Sequence, residues 1–322
     1  MRNIRLIAPV ISRRLIGFCL AILTIGSALS FVSLSAQKVD ESAGTVAKTI
    51  VTVEARHGQD VPSISREDVV VREGSNRDPV TGWTPLKGDH AGMDLFILLD
   101  DGSDPDLGLK FDEIRNFINA QPPTTKIAVG YMQNGTVRIE QDFTVEHPAA
   151  ARALRLPMGS PGNNPYFSVM DLMKRLPGDQ ERREILLISD GIDPGERFPD
   201  PYLDSTIEQA QRNRVLIYTI YAAADGSHGH DLQRITSGQN NLSRLAAETG
   251  AEAYFQGFHT PIAFAPFLAD MSAQLNHQYL LTFTAESKKK DGLRDVRLET
   301  EVSNAELNAP GRVFVPAAPA PR

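Results

Sequence analysis

Two short stretches concentrate the side chains that could do chemistry. FILLDDGSDPD (96–106) runs four apolar residues into Asp100, Asp101, Gly102, Ser103 and Asp104, and LLISDGID places Asp190 and Asp193 behind a second apolar run. Carboxylates repel one another and lose free energy on desolvation, so acids at the mouth of a buried strand need either a bound cation or a well-solvated loop. Carboxylates with hydroxyls around them suit the hard cations Mg²⁺, Mn²⁺ or Ca²⁺. Other signals are weaker. His228, His230 and Asp231 could serve Zn²⁺, but no third ligand stands at a fixed spacing. Met158-Gly159-Ser160-Pro161-Gly162 lacks the first glycine of a nucleophile elbow and does not follow a strand. Neither a GxxxxGK[ST] nor a GxGxxG sequence is present.

The elements that must position these acids follow from periodicity. LFILL (95–99), KIAVGYM (126–132), EILLIS (184–189) and VLIYTIY (215–221) are continuous apolar runs, the pattern of strands buried on both faces. Leu107, Phe111, Ile114 and Ile118 share one helical face. Further helices are expected near 147–154, 166–176, from Ser205 to about 213, over 241–250 and over 262–276. Asn134-Gly135 signals a hairpin into TVRIEQDF (136–143). Alternating strands and helices imply an α/β fold: a mostly parallel central sheet with helices on both faces, over 91–277. TIVTVEA (49–55) and EDVVVRE (67–73) read as β segments within 37–90, with GSNRD as a turn. QYLLTFTA (278–285) and RDVRLETEV (294–302) read as a hairpin around SKKKDG, and the strands of 278–315 are expected to join the early ones in a small β module. Residues 316–322 read as a disordered tail. In an open α/β sheet ligands bind beyond the carboxyl ends of the strands, which is where Asp100 and Asp190 fall.

At this point MDLFILLD, ISDGID and LSRLAAETGAEAYF make the chain resemble a von Willebrand factor type A domain, and SREDVVVREG resembles the β segment that often precedes that domain in secreted bacterial proteins. The resemblance implies a metal-ion-dependent adhesion site: a divalent cation held by an Asp-x-Ser-x-Ser loop, a Thr from a second loop and an Asp after the fourth strand, accepting a partner protein's carboxylate. Asp100 and Asp190 match the two family aspartates. Gly102 and Asp104 stand in place of the serines, and the threonine position falls near Asn164 in GNNPYFSVM. The resemblance therefore implies a remodelled set drawn from Asp100, Ser103, Asp104, Asn164 and Asp190. The alternatives are a module whose metal site has been lost or, needing a general base that the sequence does not identify, a metal-dependent hydrolase.

Composition sets the setting. The chain has 322 residues, 41% of them apolar, an ordinary globular composition. Arg2, Arg5, Arg13 and Arg14 precede an uncharged run from Leu15 to Ala36 that ends in small residues, the pattern of a secretory signal or, uncleaved, a membrane anchor. Either places the rest outside the cytoplasmic membrane, whether periplasmic, secreted or held at its outer face. Beyond residue 36 the chain has 29 basic against 40 acidic residues, which argues against nucleic acid and anionic membrane surfaces as partners and leaves a protein. Cys19, the single cysteine, lies in the apolar run, so no disulfide or thiol chemistry is expected beyond it.

Overall fold

The computed structural model describes residues 44–58, 60–159, 163–178, 182–193, 201–225 and 232–318, all within one compact unit, Ser42–Arg322. In chain order the strands and α-helices are β1 (Thr45–Ala55), β2 (Val69–Glu73), β3 (Asn76–Asp78), β4 (Val80–Pro85), β5 (Met93–Asp100), α1 (Phe111–Asn119), β6 (Thr125–Gln133), β7 (Thr136–Thr144), α2 (His147–Arg152) and α3 (Pro165–Met173). There follow β8 (Arg183–Ser189), α4 (Pro201–Asn213), β9 (Val215–Tyr221), α5 (Leu232–Thr249), β10 (Ala253–Tyr254), α6 (Ala265–Leu275), β11 (Gln278–Ala285), β12 (Gly292–Asp295), β13 (Arg297–Thr300), β14 (Ala305–Asn308) and β15 (Arg312–Val315). The segment read as a signal or anchor and the loop 228–231 lie outside the described residues. Among the described residues no helix is long and apolar enough to cross a membrane.

The continuous apolar runs form the central sheet, in the order β10-β9-β8-β5-β6-β7, parallel except for β7. Every residue of β5 is buried. Leu95, Ile97 and Leu99 pack toward Ile114 and Ile118 of α1 and Met271 of α6. Phe96 and Leu98 face Val169 of α3, Ile207 of α4 and Leu245 of α5 on the other side. The expected architecture of a mostly parallel sheet between two helical layers is thus observed. Asn134 and Gly135, both at positive φ (51° and 73°), turn β6 into its antiparallel neighbour β7, as a two-residue hairpin requires.

The terminal segments form a separate β layer. β11 is a central strand of the antiparallel order β14-β1-β11-β4, while β13 pairs with β2, which pairs with β3, and β12 pairs with β15. Alternation along β1 joins the layers: Ile50 enters the α/β core, whereas Ala47, Val51 and Val53 enter the β core beside Leu281 and Phe283. Trp83 stacks on Tyr279 with centroids 4.5 Å apart. The hairpin expected between 278–285 and 294–302 is not formed. Both edges of β11 are filled, by β1 and β4, so the returning chain pairs elsewhere. The expected turn GSNRD is likewise partly strand, since Asn76–Asp78 pairs with β2 and only Gly74, at φ 60°, makes the tight bend. Two helix starts also move. α4 begins at Pro201, a residue suited to a first helical turn, which leaves Ser205 inside it. α5 begins nine residues before 241 and runs through Gly238.

A buried ionic group ties the sheet to the β layer. Arg182 donates from Nε to Gln278 Oε1 (2.6 Å) and from Nη2 to the Leu275 carbonyl (2.6 Å). Its Nε lies 3.6 Å from Glu184 Oε1, and Glu184 is fully buried. Burial pushes the Glu184 carboxyl up to about 7, with Arg182 opposing the shift. A carboxyl with a raised folded pKa holds its proton more tightly when folded, so its contribution to stability is greatest in acid, falls as pH rises from about 4.5 to about 7, and is level above that. Thermal melts between about pH 5 and 8 are expected to show a shallower loss of Tm for Glu184→Gln than for the parent. Parallel profiles would show that Glu184 is ionised throughout.

Candidate functional site

The parallel register brings the two key acids together. Leu99 lies opposite Ile188, so Asp100 ends β5 beside Ser189, and Asp190 leaves β8 just beyond. Asp100 is 5% exposed, and both of its carboxylate oxygens are occupied. Oδ1 accepts from the Gly102 N–H (2.9 Å) and from Asn163 Nδ2 (2.8 Å), and Oδ2 accepts from Ser189 Oγ (3.0 Å). The Asn163 amide has a fixed sense, because its Oδ1 accepts from the Asn134 N–H (3.0 Å). Asp190 is half-buried, and its Oδ1 accepts from the Ile192 N–H (3.0 Å). Burial, then the negative charge of Asp100, pushes the Asp190 carboxyl up to about 7. Asp100 is also raised, by burial, against the pull of its three donors. The pair is therefore one of mutually disfavoured charges.

Asp101 belongs to a different structure. Fully buried, it binds Arg155 through two oxygens (2.6 and 3.2 Å) and accepts from Gln133 Nε2 and the Met158 N–H. Burial pushes its carboxyl up, but these hydrogen bonds outweigh burial and hold it below the usual range. The Arg155 guanidinium lies 3.9 Å over the Tyr131 ring, and its Nε donates to Glu140 (3.0 Å). Tyr131 Oη accepts from the Arg155 N–H and donates to the Arg155 carbonyl. The result is a clamp that holds 155–158 against the end of β5.

The remaining expected ligands are turned to local tasks. Asp104 Oδ1 caps the turn of 3₁₀ helix over Pro105–Lys110 by accepting from the Asp106 N–H (2.8 Å). Asn164 Oδ1 caps α3 through the Phe167 N–H (2.8 Å). Ser103 is 1% exposed and bridges Ala224, and its Oγ has no hydrogen-bond partner among the described residues. Backbone bonds from Asp104 N to the Ala223 carbonyl and from Asp225 N to the Gly102 carbonyl, both 2.9 Å, fix this loop to the one after β9. The residue that reaches Asp100 from the second loop is thus Asn163, not Asn164. Pro165 at the first helical position marked Asn164 as a cap, which was the available signal. Ser189 and Arg155 carried no comparable local signal. The donor set fits a hard cation poorly. Gly102 offers no side-chain oxygen, Asp104 and Asn164 face their caps, and three N–H or O–H donors already sit on Asp100. Among the described residues no group of three His, Cys, Asp or Glu side chains is gathered to hold a metal ion.

Gly191 and Gly238 set the position of Asp190. Gly191 has φ 70°, and a Cβ there would fall 2.5 Å from the Gly238 carbonyl oxygen. A Cβ on Gly238 would fall 2.1 Å from the Asp190 carbonyl oxygen. α5 therefore lies backbone to backbone against the acidic strand end.

No protein-family model matches the chain, and no curated protein matches it. Several solved structures are similar. An aerotolerance-related membrane protein from Bacteroides fragilis is 10% identical over 57% of this chain and 99% of that chain, with a TM-score of 0.44. The ArnB paralog VWA2 from Sulfolobus acidocaldarius is 12% identical over 85% of this chain and 76% of that chain, with a TM-score of 0.40. The SpRpn10 VWA domain is 13% identical over 55% of this chain and 94% of that chain, with a TM-score of 0.37. At such identities and scores these likenesses carry no inference about activity or partners.

Proposed function

We propose that the chain is an exported, non-enzymatic protein-interaction module of the von Willebrand A type. Its contact face is the carboxyl edge of the central sheet, and an internal hydrogen-bond network there takes the place of a cation. The observation that carries this reading is where apolar surface is left uncovered. Leu109, Leu156, Met158, Phe167, Phe258 and Ile262 are exposed, and all six stand on loops, a 3₁₀ turn or a helix start at this one edge, while Val46, Ile139 and Val145 are exposed elsewhere. Apolar side chains gathered on one face, rather than scattered, mark a place where another protein sits. The face is also held in shape. The Asp101–Arg155 clamp fixes the segment carrying Leu156 and Met158, and Lys110 Nζ donates to the Ile262 carbonyl.

The chemistry of the edge supports a contact rather than a reaction. Ser189 Oγ is fully buried and donates to Asp100, and among the described residues Ser103 Oγ has no partner and neither hydroxyl is hydrogen-bonded to a histidine that could serve as its base. Export rests on the basic, apolar and small-residue succession of 1–36. The unpartnered Ser103 Oγ favours one second reading, a divalent cation (Mg²⁺, Mn²⁺ or Ca²⁺) shared by Asp100, Ser103 and Asp190.

Site-specific photo-crosslinking tests the face. A crosslinking residue placed at Met158 or Ile262 of the full chain is expected to trap a discrete protein adduct in the cell of origin, and one at Ile139, exposed on β7, is not. The adducts are expected to survive chelation of divalent ions. Adducts equal at all three positions, or at none, would contradict the proposed face.

A further inference from the structure

The sulfur of this chain is divided unevenly between core and surface. Beyond Cys19 there is no thiol, so methionine supplies all of the sulfur there. Among the described residues Met93 and Met271 are buried in the core on the α1 side of the central sheet. Met132 and Met173 are buried on the α3 side, and Met170 packs against that core. Met158 is 65% exposed and belongs to neither core.

Its place on the surface is nonetheless fixed. The Met158 N–H donates to Asp101 Oδ1 (2.9 Å), and the Asp101–Arg155 pair (2.6 Å) holds the residues just before it. Leu156 reaches Gly108, where a Cβ would fall 2.3 Å from Leu156 Cδ2, so segment 155–158 lies beside the exposed Leu109. A thioether presented on a fixed backbone within an apolar surface is a contact group, since methionine adapts readily to a partner. It is also open to oxidation. A hydroperoxide gives its terminal oxygen to the sulfur: the S–O bond forms, the O–O bond breaks, and the proton passes to the departing oxygen. Sulfur loses two electrons, and hydrogen peroxide leaves as water. The sulfoxide is polar, and burying its oxygen against an apolar partner without a donor costs free energy.

We propose that Met158 is an oxidation site for hydroperoxides, and that its conversion to the sulfoxide releases the partner from the contact face while leaving the fold intact. This inference rests on the contact face proposed above and names a regulation of it. The separation of face from fold follows from the placement of Met158 outside both cores.

The test uses the full chain carrying a photo-crosslinking residue at Ile262. It is treated with limiting hydrogen peroxide, freed of the oxidant and mixed with extract of the cell of origin. Peptide mapping by mass spectrometry is expected to find Met158 oxidised before the methionines at 93, 132, 170, 173 and 271. The Ile262 adduct is expected to fall about tenfold with no matching loss of Tm, and to return after treatment with the two methionine sulfoxide reductases, one for each sulfoxide epimer. Met158→Leu, whatever its own adduct yield, is expected to give the same yield before and after peroxide. Oxidation of another methionine first, an adduct indifferent to Met158 oxidation, or a loss of adduct matched by a loss of Tm overturns this inference alone. Absence of the Ile262 adduct from the untreated chain removes the contact face, and this inference with it.

Discussion

Replacing Gly191 with alanine is expected to cost about 3 kcal/mol or more of folding stability, the sum of a left-handed backbone penalty and an overpacking penalty. The residue has φ 70°, and its Cβ would meet the Gly238 carbonyl oxygen at 2.5 Å and Leu242 Cγ at 2.6 Å. Neither obstacle is the free end of a flexible chain, so relief requires α5 to move away from the strand end that carries Asp190. Gly238→Ala should be as damaging for the same reason seen from the other side. Because both substitutions break one contact, the double variant is expected to lose less than the sum of the two. Gly74→Ala is the control. Its φ is 60°, but nothing lies within 4 Å of the added carbon, so only the backbone penalty of about 1 kcal/mol remains. Equilibrium denaturation of the four variants checks the ranking, and a Gly191→Ala loss no greater than that of Gly74→Ala would show that the close approach is not present.

The second large effect belongs to Asp101. Removing its carboxylate by Asp101→Ala strips Arg155 of a two-oxygen partner and leaves the Met158 N–H and the Gln133 amide without their acceptor. Breaking a buried pair from one side costs about 3 kcal/mol or more, because the remaining charge stays where water cannot fully reach it. Here Arg155 keeps Glu140 and the face of Tyr131, which holds the expected loss near about 3 kcal/mol. Asp101→Asn retains an oxygen for one donor and should lose about half as much. Segment 155–158 should also loosen, so trypsin is expected to cut after Arg155 sooner in Asp101→Ala than in the parent. An Asp101→Ala variant as stable and as resistant as the parent would show that the clamp is incidental.

Much of the layout was legible because burial writes itself into composition. β5, β8 and β9 are each built on an unbroken apolar run, the character of strands covered on both faces. Given parallel neighbours, the meeting of Asp100 and Asp190 followed from their places at strand ends. The rest depended on contacts that sequence distance hides. Asp101 finds Arg155 across 54 positions, and nothing near either residue announces the other. Asn163 and Asn164 are chemically identical, and only the capping of α3 assigns one to the helix and frees the other for Asp100. The expected hairpin failed for a similar reason. Segment 278–285 has the alternation of a strand but no mark that both its edges are claimed by β1 and β4, more than 190 residues away in sequence. The helix expected over 241–250 starts earlier and runs through Gly238, which is the point where α5 touches the Asp190 backbone.

The central claim is that protein donors, not a cation, balance the acids at the carboxyl edge. The measurement that tests it most directly is the Tm of the full chain, after exhaustive chelation, as Mg²⁺, Mn²⁺ or Ca²⁺ is added back to millimolar levels, beside Asp100→Asn and Asp190→Asn. Ligand that binds only the folded state raises stability by about 2.7 kcal/mol at a hundredfold excess over Kd, so a working site would be plain. With Asn163, Ser189 and the Gly102 N–H already on Asp100, no saturable rise is expected with any of the three ions. A saturable rise in the parent that both asparagine variants abolish would contradict the account and establish the edge as a cation site.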